Sequence, residues 1–136
     1  MILKINNNPF LNVLISIIIL SSCETFRDGD VYSSLCGAYT CEETSAYEGY
    51  KKYIVEIDKV SSQDQLFIIS NFHNQGLSEF IYASMIGDSL FIEDQLINGL
   101  FINGKGSVNA DYNEIKLNYK TDDGNLEINY FARYTR

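Results

Sequence analysis

One histidine and three cysteines limit the nucleophilic and metal chemistry open to this sequence. His73 is the single imidazole, which excludes sites that need two, including most catalytic zinc sites. A Cys–His nucleophile pair would require Cys36 or Cys41 to meet His73 in space, and nothing local brings them together. We therefore expect His73 to be a loop residue. Gly104-Lys105-Gly106 is too short for a phosphate-binding loop. The sequence predicts no catalytic residue, no metal site and no cofactor.

Acidic side chains are numerous, so a hydrolase that works with two carboxylates has to be considered. The adjacent pairs are Glu42-Glu43, Glu93-Asp94 and Asp122-Asp123. Neighbouring residues of a strand point to opposite faces, so the spacing predicts that these pairs do not converge and are solvated strand ends and turns. Asp122-Asp123-Gly124-Asn125 offers oxygen ligands for calcium but lacks the spaced acids of an EF-hand loop, which favours a turn.

Tyrosine is the residue type with the clearest excess, because all ten tyrosines follow residue 31. Two interpretations are open: the rings fill the core of a small barrel, or they line a cavity with hydroxyl groups suited to a small amphipathic ligand. The tyrosines on predicted apolar strand faces are the candidates for such a lining: Tyr39, Tyr53, Tyr119, Tyr130 and Tyr134.

Two cysteines, Cys36 and Cys41, remain after the one near the N-terminus is set aside. In a regular strand their odd spacing places them on opposite faces, too far apart to bond. A disulfide would require a turn at Gly37. The alternatives are therefore a disulfide, or two unpaired small core residues.

From residue 37 onward the hydrophobic period is two, which is typical of half-buried strands. Residues 114–120 and 126–134 alternate most clearly, with Phe131 as an exception. Residues 65–72 and 79–86 are apolar on both faces in places and read as strands covered on both sides. The paired glycines within 100–108 predict a bend or a close backbone approach.

Turn residues separate these segments. Gly87-Asp88 predicts a two-residue hairpin turn, and 121–125 predicts a hairpin loop. With a first strand over 37–43, the count is about eight, without a convincing helix. Such a series predicts an all-β antiparallel meander that closes into an up-and-down barrel, with a β-sandwich as the alternative. Closure removes exposed edges, which favours the barrel.

The N-terminus has the three parts of an export signal: a basic start with Lys4, an apolar run over 10–20, and small residues before Cys23. The run is shorter than the ~20 apolar residues of a spanning helix. Leu20-Ser21-Ser22-Cys23 closely resembles the lipobox of bacterial lipoproteins. This resemblance implies that the Cys23 thiol is diacylated and that cleavage follows residue 22.

Three segments follow from this pattern: a signal peptide over 1–22, a lipidated cysteine with a tether over 23–36, and one domain over 37–136. The net charge is −8 and becomes −9 when Lys4, the one charged residue of 1–22, is removed. Nucleic-acid binding depends on Lys and Arg, so this charge argues against a nucleic-acid partner. It also assigns membrane attachment to the acyl chains, since an acidic surface repels anionic lipids.

The strand and turn segments, in order, resemble small lipoproteins of the Bacteroidota that carry a single lipocalin-like meander barrel. Gly37-Ala38-Tyr39-Thr40-Cys41, Tyr53-Ile54-Val55-Glu56-Ile57, Gly87-Asp88-Ser89-Leu90 and Ile115-Lys116-Leu117-Asn118-Tyr119 carry this resemblance. It implies the fold and an envelope location, lipid-anchored and at the outer membrane, on the periplasmic face or the cell surface.

We expect a non-enzymatic binding module for a small apolar ligand or an envelope protein partner. The alternative is a structural or accessory envelope lipoprotein with a packed core and no ligand. The first expectation requires a cavity reached through one barrel end, whereas the second requires interdigitated side chains and an exposed apolar or acidic patch.

Overall fold

The structure is a computed structural model that describes residues 32–60 and 65–136. The predicted signal peptide and Cys23 lie outside the described residues. Period-two alternation produces eight strands, which confirms the predicted all-β meander. The strands are β1 (Gly37–Ser45), β2 (Gly49–Lys59), β3 (Leu66–Ser70), β4 (Phe80–Ile86), β5 (Ser89–Ile97), β6 (Leu100–Val108), β7 (Glu114–Asp122) and β8 (Glu127–Thr135).

Each strand pairs antiparallel with the next, and β1 pairs with β8 to close the barrel. The barrel rather than the sandwich is therefore the observed architecture. The predicted turn at Gly87 joins β4 to β5, with Gly87 at φ 64°. A similar turn at Asn98-Gly99 joins β5 to β6, and both of its residues have positive φ. Such turns match the twist of a hairpin.

The two barrel ends differ in what they carry. Residues 32–36 enter at one end, which we call the entry end, beside the loops at 87–88 and 109–113. The opposite end, which we call the far end, carries the loops at 46–48 and 71–79 and the hairpin turn that follows β5. A 3-10 turn over Phe72–Asn74 lies in the longest of these far-end loops.

Side chains fill the barrel interior. The inward positions of all eight strands carry buried apolar or aromatic residues, among them Val55, Phe67, Ile81 and Leu117, each fully buried. At Gly104 a side chain has no room, because a Cβ there would lie 2.5 Å from the Tyr119 Cβ and 2.6 Å from the Asn118 carbonyl oxygen. The predicted close backbone approach in β6 is therefore present.

The outer wall corrects one expectation. Of the two segments that read as strands covered on both sides, 79–86 is covered only on the inside. Ile81 is buried, but Phe80 and Tyr82 beside it are 44% and 47% exposed. Sequence periodicity cannot separate a strand buried on both faces from one that displays apolar side chains to solvent. Leu126 is also exposed, because β8 begins one residue later than predicted.

Arg136 fastens the entry end. Its guanidinium donates hydrogen bonds to the carbonyl oxygens of Cys36, Ser34 and Tyr112, and it lies 4.7 Å from the centroid of the Tyr39 ring. The Tyr39 hydroxyl donates to the Leu35 carbonyl oxygen at 2.8 Å. These contacts order the residues just before β1. Within the described ranges no helix has the length and apolar character to span a membrane.

Candidate functional site

All five tyrosines singled out by the sequence point into the barrel, where they act as core. Tyr39, Tyr119, Tyr130 and Tyr134 are buried, and Tyr53 is half-buried against the same core. Tyr119 and Tyr130 stack, with ring centroids 5.0 Å apart. Burial raises the pKa of the Tyr134 hydroxyl well above its usual value, so this group stays protonated. Tyr119 and Tyr130 also line an opening of about 230 Å³ in the barrel wall.

The two cysteines are separate free thiols in the structure. Cys41 points into the core, and burial raises the pKa of its thiol to about 12. Cys36 is half-buried before β1, at the entry end. Gly37 already belongs to β1 and pairs with Ile57, so the chain runs as a strand from Gly37 to Cys41.

His73 lies in the far-end loop, as predicted, but it is only 7% exposed. Its backbone is left-handed, at φ 53°, as are the backbones of Asn71 and Asn74. Left-handed residues other than glycine persist where surrounding contacts hold them. The Asn71 side chain supplies two such contacts, to the Ile54 carbonyl oxygen and the Gly76 N–H. The loop is thereby folded over the barrel mouth.

Inside the barrel, His73 lies beside the Glu43 carboxylate. We expected the Glu42-Glu43 pair to be solvated, and for Glu43 this is wrong: its side chain is 1% exposed. The Tyr53 hydroxyl donates to Glu43 Oε2 at 2.5 Å, and the Tyr119 hydroxyl donates to the same oxygen. His73 Nδ1 lies 2.6 Å from the Tyr119 hydroxyl oxygen and 3.3 Å from Glu43 Oε1.

The protonation of this cluster follows from its hydrogen bonds. Burial alone raises the pKa of the Glu43 carboxyl, but the nearby His73 and the hydrogen bonds from the two tyrosines outweigh it and hold the pKa below its usual value. An ionised Glu43 accepts from Tyr119, whose one proton is then used. His73 Nδ1 must therefore carry a hydrogen and donate it to the Tyr119 oxygen.

Hydrogen bonds join Glu43, Tyr53, Tyr119 and His73 into one cluster. We call this cluster the latch, because it connects the far-end loop to the barrel interior. His73 packs its ring edge against Tyr130, with centroids 4.7 Å apart, and Phe72 beside it is fully buried. Each member is buried or half-buried and hydrogen-bonded to another, although Glu43 Oε1 itself has no hydrogen-bond partner among the described residues. Sequence reasoning missed the latch because its members are distant along the chain.

An opening lies instead on the outer wall, as a groove of about 410 Å³ between β4 and β5. We call it the β4–β5 groove. Apolar and acidic side chains share its lining: Leu66, Tyr82, Ala83, Ser84, Phe91, Glu93, Asp94 and Gln95. Two smaller depressions on the barrel, of about 230 and 180 Å³, are lined mainly by polar and small residues.

A β-bulge creates this groove. β4 and β5 pair only over Ser84–Ile86, and the pairing of β5 with β6 shifts between Ile92 and Gln95. Two residues, Glu93 and Asp94, then lie opposite one residue of β6. Both are exposed at the groove, so the expectation that adjacent acids point apart is wrong here. The alternation rule does not apply across a bulge.

The other acidic pair behaves as predicted for a turn. Asp122 Oδ1 accepts a hydrogen bond from the Gly124 N–H, and Asp123 Oδ1 accepts from the N–H groups of Asn125 and Leu126. Across the described part of the chain, no group of three or more His, Cys, Asp and Glu side chains is arranged to hold a metal ion.

No model of a known protein family matches this chain, and no curated protein matches its sequence.

Proposed function

We propose that this chain is a lipid-anchored envelope protein that acts as a non-enzymatic binding module, with its ligand in the β4–β5 groove. The observation that carries the proposal is the groove itself, an opening of about 410 Å³ that apolar and polar side chains line together, in the wall of a barrel whose inward side chains are buried. Ligand sites are concave and mostly apolar, with a few polar groups that orient the ligand. The groove has this composition.

Exposed apolar side chains extend the surface around the groove. Phe80 and Tyr82 meet edge to face at 5.5 Å, and Leu96 and Phe101 form an exposed cross-strand pair on β5 and β6. Contiguous exposed apolar residues with polar neighbours are typical of interaction sites. Single exposed apolar residues need no such explanation, so it is their clustering beside the groove that adds support to the proposal.

The membrane attachment rests on the sequence. The lipobox-like Leu20-Ser21-Ser22-Cys23 supports a diacyl anchor, and two acyl chains give stable attachment. The described chain enters the barrel through residues 32–36 at the entry end, so the anchor precedes that end. The groove lies on the side wall of the barrel between β4 and β5, not at the entry end.

A second candidate, an accessory envelope protein with a packed core and no ligand, is favoured by the filled interior. The core from Leu35 to Tyr134 is almost wholly solvent-free. Under this candidate the groove is a by-product of the bulge. The two candidates differ in one measurable property, which is whether the groove binds anything.

A groove-filling variant with a matched control tests the proposal. Ser84→Tyr places a ring in the groove, whereas Ser107→Tyr places one on the exposed outer face of β6. Native mass spectrometry would compare the chain purified from its own membranes with its denatured mass. We expect a bound mass in the wild type and in Ser107→Tyr, and its loss in Ser84→Tyr. A bound mass that persists in Ser84→Tyr would place the ligand elsewhere.

The anchor has its own test. Cys23→Ser removes the thiol that the lipobox-like motif presents, so we expect the variant protein to leave the membrane fraction. Retention of the Cys23→Ser protein in membranes after a high-salt wash would refute lipid anchoring at this residue, whatever the groove binds.

A further inference from the structure

The Gln95 side chain makes the two hydrogen bonds to the Tyr82 backbone that a neighbouring strand would make in a regular sheet. The Tyr82 N–H donates to Gln95 Oε1 at 2.8 Å, and the Tyr82 carbonyl oxygen accepts from Gln95 Nε2 at 2.8 Å. A carboxamide and a peptide group present the same donor and acceptor. Gln95 therefore takes the position that a residue of a neighbouring strand would take in a sheet.

The seam around this contact lacks backbone pairing. The β4–β5 register ends at Ser84, opposite Phe91, so residues 80–83 of β4 have no backbone partner on β5. Ile92 and Gln95 of β5 pair with β6 on either side of the bulge, and no residue from 92 to 95 pairs with β4. Unpaired strand edges are templates for another extended segment. Here the two edges face each other across the groove, with the Gln95 side chain between them.

The charge and shape of the groove define the segment that fits. Glu93 and Asp94 stand together at the bulge, and Asp94 Oδ1 is oriented by a 2.5 Å hydrogen bond from Asn103. An ammonium group already lies beside the groove, since Lys105 Nζ is 5.2 Å from the centroid of the Phe91 ring. The net charge of −8 attracts cationic partners over longer distances.

We propose that the β4–β5 groove receives an extended peptide segment whose backbone replaces the Gln95 carboxamide at Tyr82. A lysine or arginine of the segment pairs with Glu93 and Asp94, and an apolar residue two positions along, which shares its face, packs on Tyr82 and Phe91. In the empty groove the Gln95 side chain occupies the peptide's position at Tyr82. When the peptide binds, this side chain moves out of the groove. This inference rests on the proposed function, since it names the partner of the same groove.

Gln95 has a measurable consequence for affinity. An internal group that occupies a site lowers the apparent affinity for an external ligand, because the site is free only part of the time. Gln95→Ala should therefore tighten peptide binding, by about threefold or more. If the peptide does not replace the Gln95 side chain, Gln95→Ala should leave the peptide affinity unchanged, which would overturn the inference.

Defined probes test the proposal on the full chain in detergent. The first probe is a blocked Val-Thr-Lys-Thr-Val peptide, which places lysine and both valines on one face. The second probe replaces lysine by glutamate, and the third is N-methylated at alternate residues, which removes one row of backbone N–H donors. We expect the lysine peptide alone to bind. NMR should show shifts of the Tyr82 backbone amide and of the Gln95 side-chain amide on binding.

Matched variants separate charge from general effects. Glu93→Gln with Asp94→Asn should weaken the lysine peptide about three- to fivefold, the size expected for exposed ion pairs. Glu56→Gln with Asp58→Asn makes the same charge change on the outer face of β2 and should leave affinity unchanged. Equal weakening by both pairs would overturn the proposed contact with Glu93 and Asp94. Equal binding of the N-methylated peptide would overturn backbone pairing.

The remaining outcomes distinguish this inference from the proposed function. Suppose that the dye Nile red binds the wild type and not Ser84→Tyr, while no peptide binds the wild type or Gln95→Ala. The peptide inference then fails and the binding module stands. If neither Nile red nor any peptide binds, both the peptide inference and the proposed binding function are refuted. If the wild type dimerises and Ser84→Tyr does not, the occupant of the groove is a second copy of this chain. That outcome would overturn the inference of a foreign peptide.

Discussion

Replacing His73 by alanine is the sharpest test of the latch at the far end. The change removes the Nδ1 hydrogen bond to Tyr119 and the ring contacts to Tyr119 and Tyr130. It leaves the Glu43 carboxylate buried with its two tyrosine donors but without the histidine that faces Oε1. The loop from Asn71 to Gly76 loses its main attachment to the barrel interior.

The expected cost can be built from the contacts. A hydrogen bond within a charged network contributes about 1.5–3 kcal/mol, and an aromatic edge contact contributes about 0.5–1.5 kcal/mol. A buried polar group that is left without its partner adds about 1–3 kcal/mol. His73 is nearly fully buried, so solvent screening does not reduce these contributions. We expect His73→Ala to lower the free energy of unfolding by about 3–5 kcal/mol.

Urea denaturation followed by circular dichroism measures this cost, and two further variants control it. Asn74→Ala changes an exposed left-handed position of the same loop and should cost less than about 1 kcal/mol. His73→Gly should be more stable than His73→Ala by about 1 kcal/mol, since glycine adopts positive φ without strain. A His73→Ala cost below about 1 kcal/mol would refute the latch.

Three further predictions concern the interior. First, the folded pKa of Glu43 lies below its unfolded value of 4.5, so its stabilising contribution is fully present above about pH 4.5 and is lost as the pH falls through the folded pKa. The unfolding free energy should therefore fall less steeply in Glu43→Gln than in the wild type in acid; parallel curves would contradict this. Second, iodoacetamide at pH 8 should modify Cys36 before Cys41, because burial raises the pKa of the Cys41 thiol to about 12; peptide mass spectrometry detects the order, and equal rates would show that Cys41 is accessible. Third, Gly104→Ala should cost about 1–3 kcal/mol or more, since its Cβ would lie 2.5 Å from the Tyr119 Cβ; an unchanged melting temperature would disprove the close approach.

The fold was predictable because local signals determine most of it. Alternation from residue 114 to residue 134 and the turn at Gly87 have physical causes that act over a few residues. Strand β6 begins and ends where its pattern does, at Leu100 and Val108. Once eight such strands are joined by short turns, closure follows from the need to remove exposed edges.

The sites were less predictable because each depends on contacts between distant parts of the chain. Glu43 and Tyr119 are 76 residues apart, and no local pattern indicates that a glutamate on an inward position has partners. The bulge at Glu93-Asp94 breaks the alternation on which the sequence interpretation relied. A signal existed there, since three polar residues in a row, Glu93 to Gln95, interrupt an apolar strand.

The most direct test of the central claim is NMR of the tyrosine rings during titration with Nile red. Tyr82 is the one tyrosine that lines the groove among the described residues, whereas Tyr53 and Tyr119 report on the interior. Binding in the β4–β5 groove predicts ring shifts at Tyr82, their loss in Ser84→Tyr, and unchanged interior rings. Shifts at Tyr53 and Tyr119 with Tyr82 unchanged would contradict the account and move the site into the barrel.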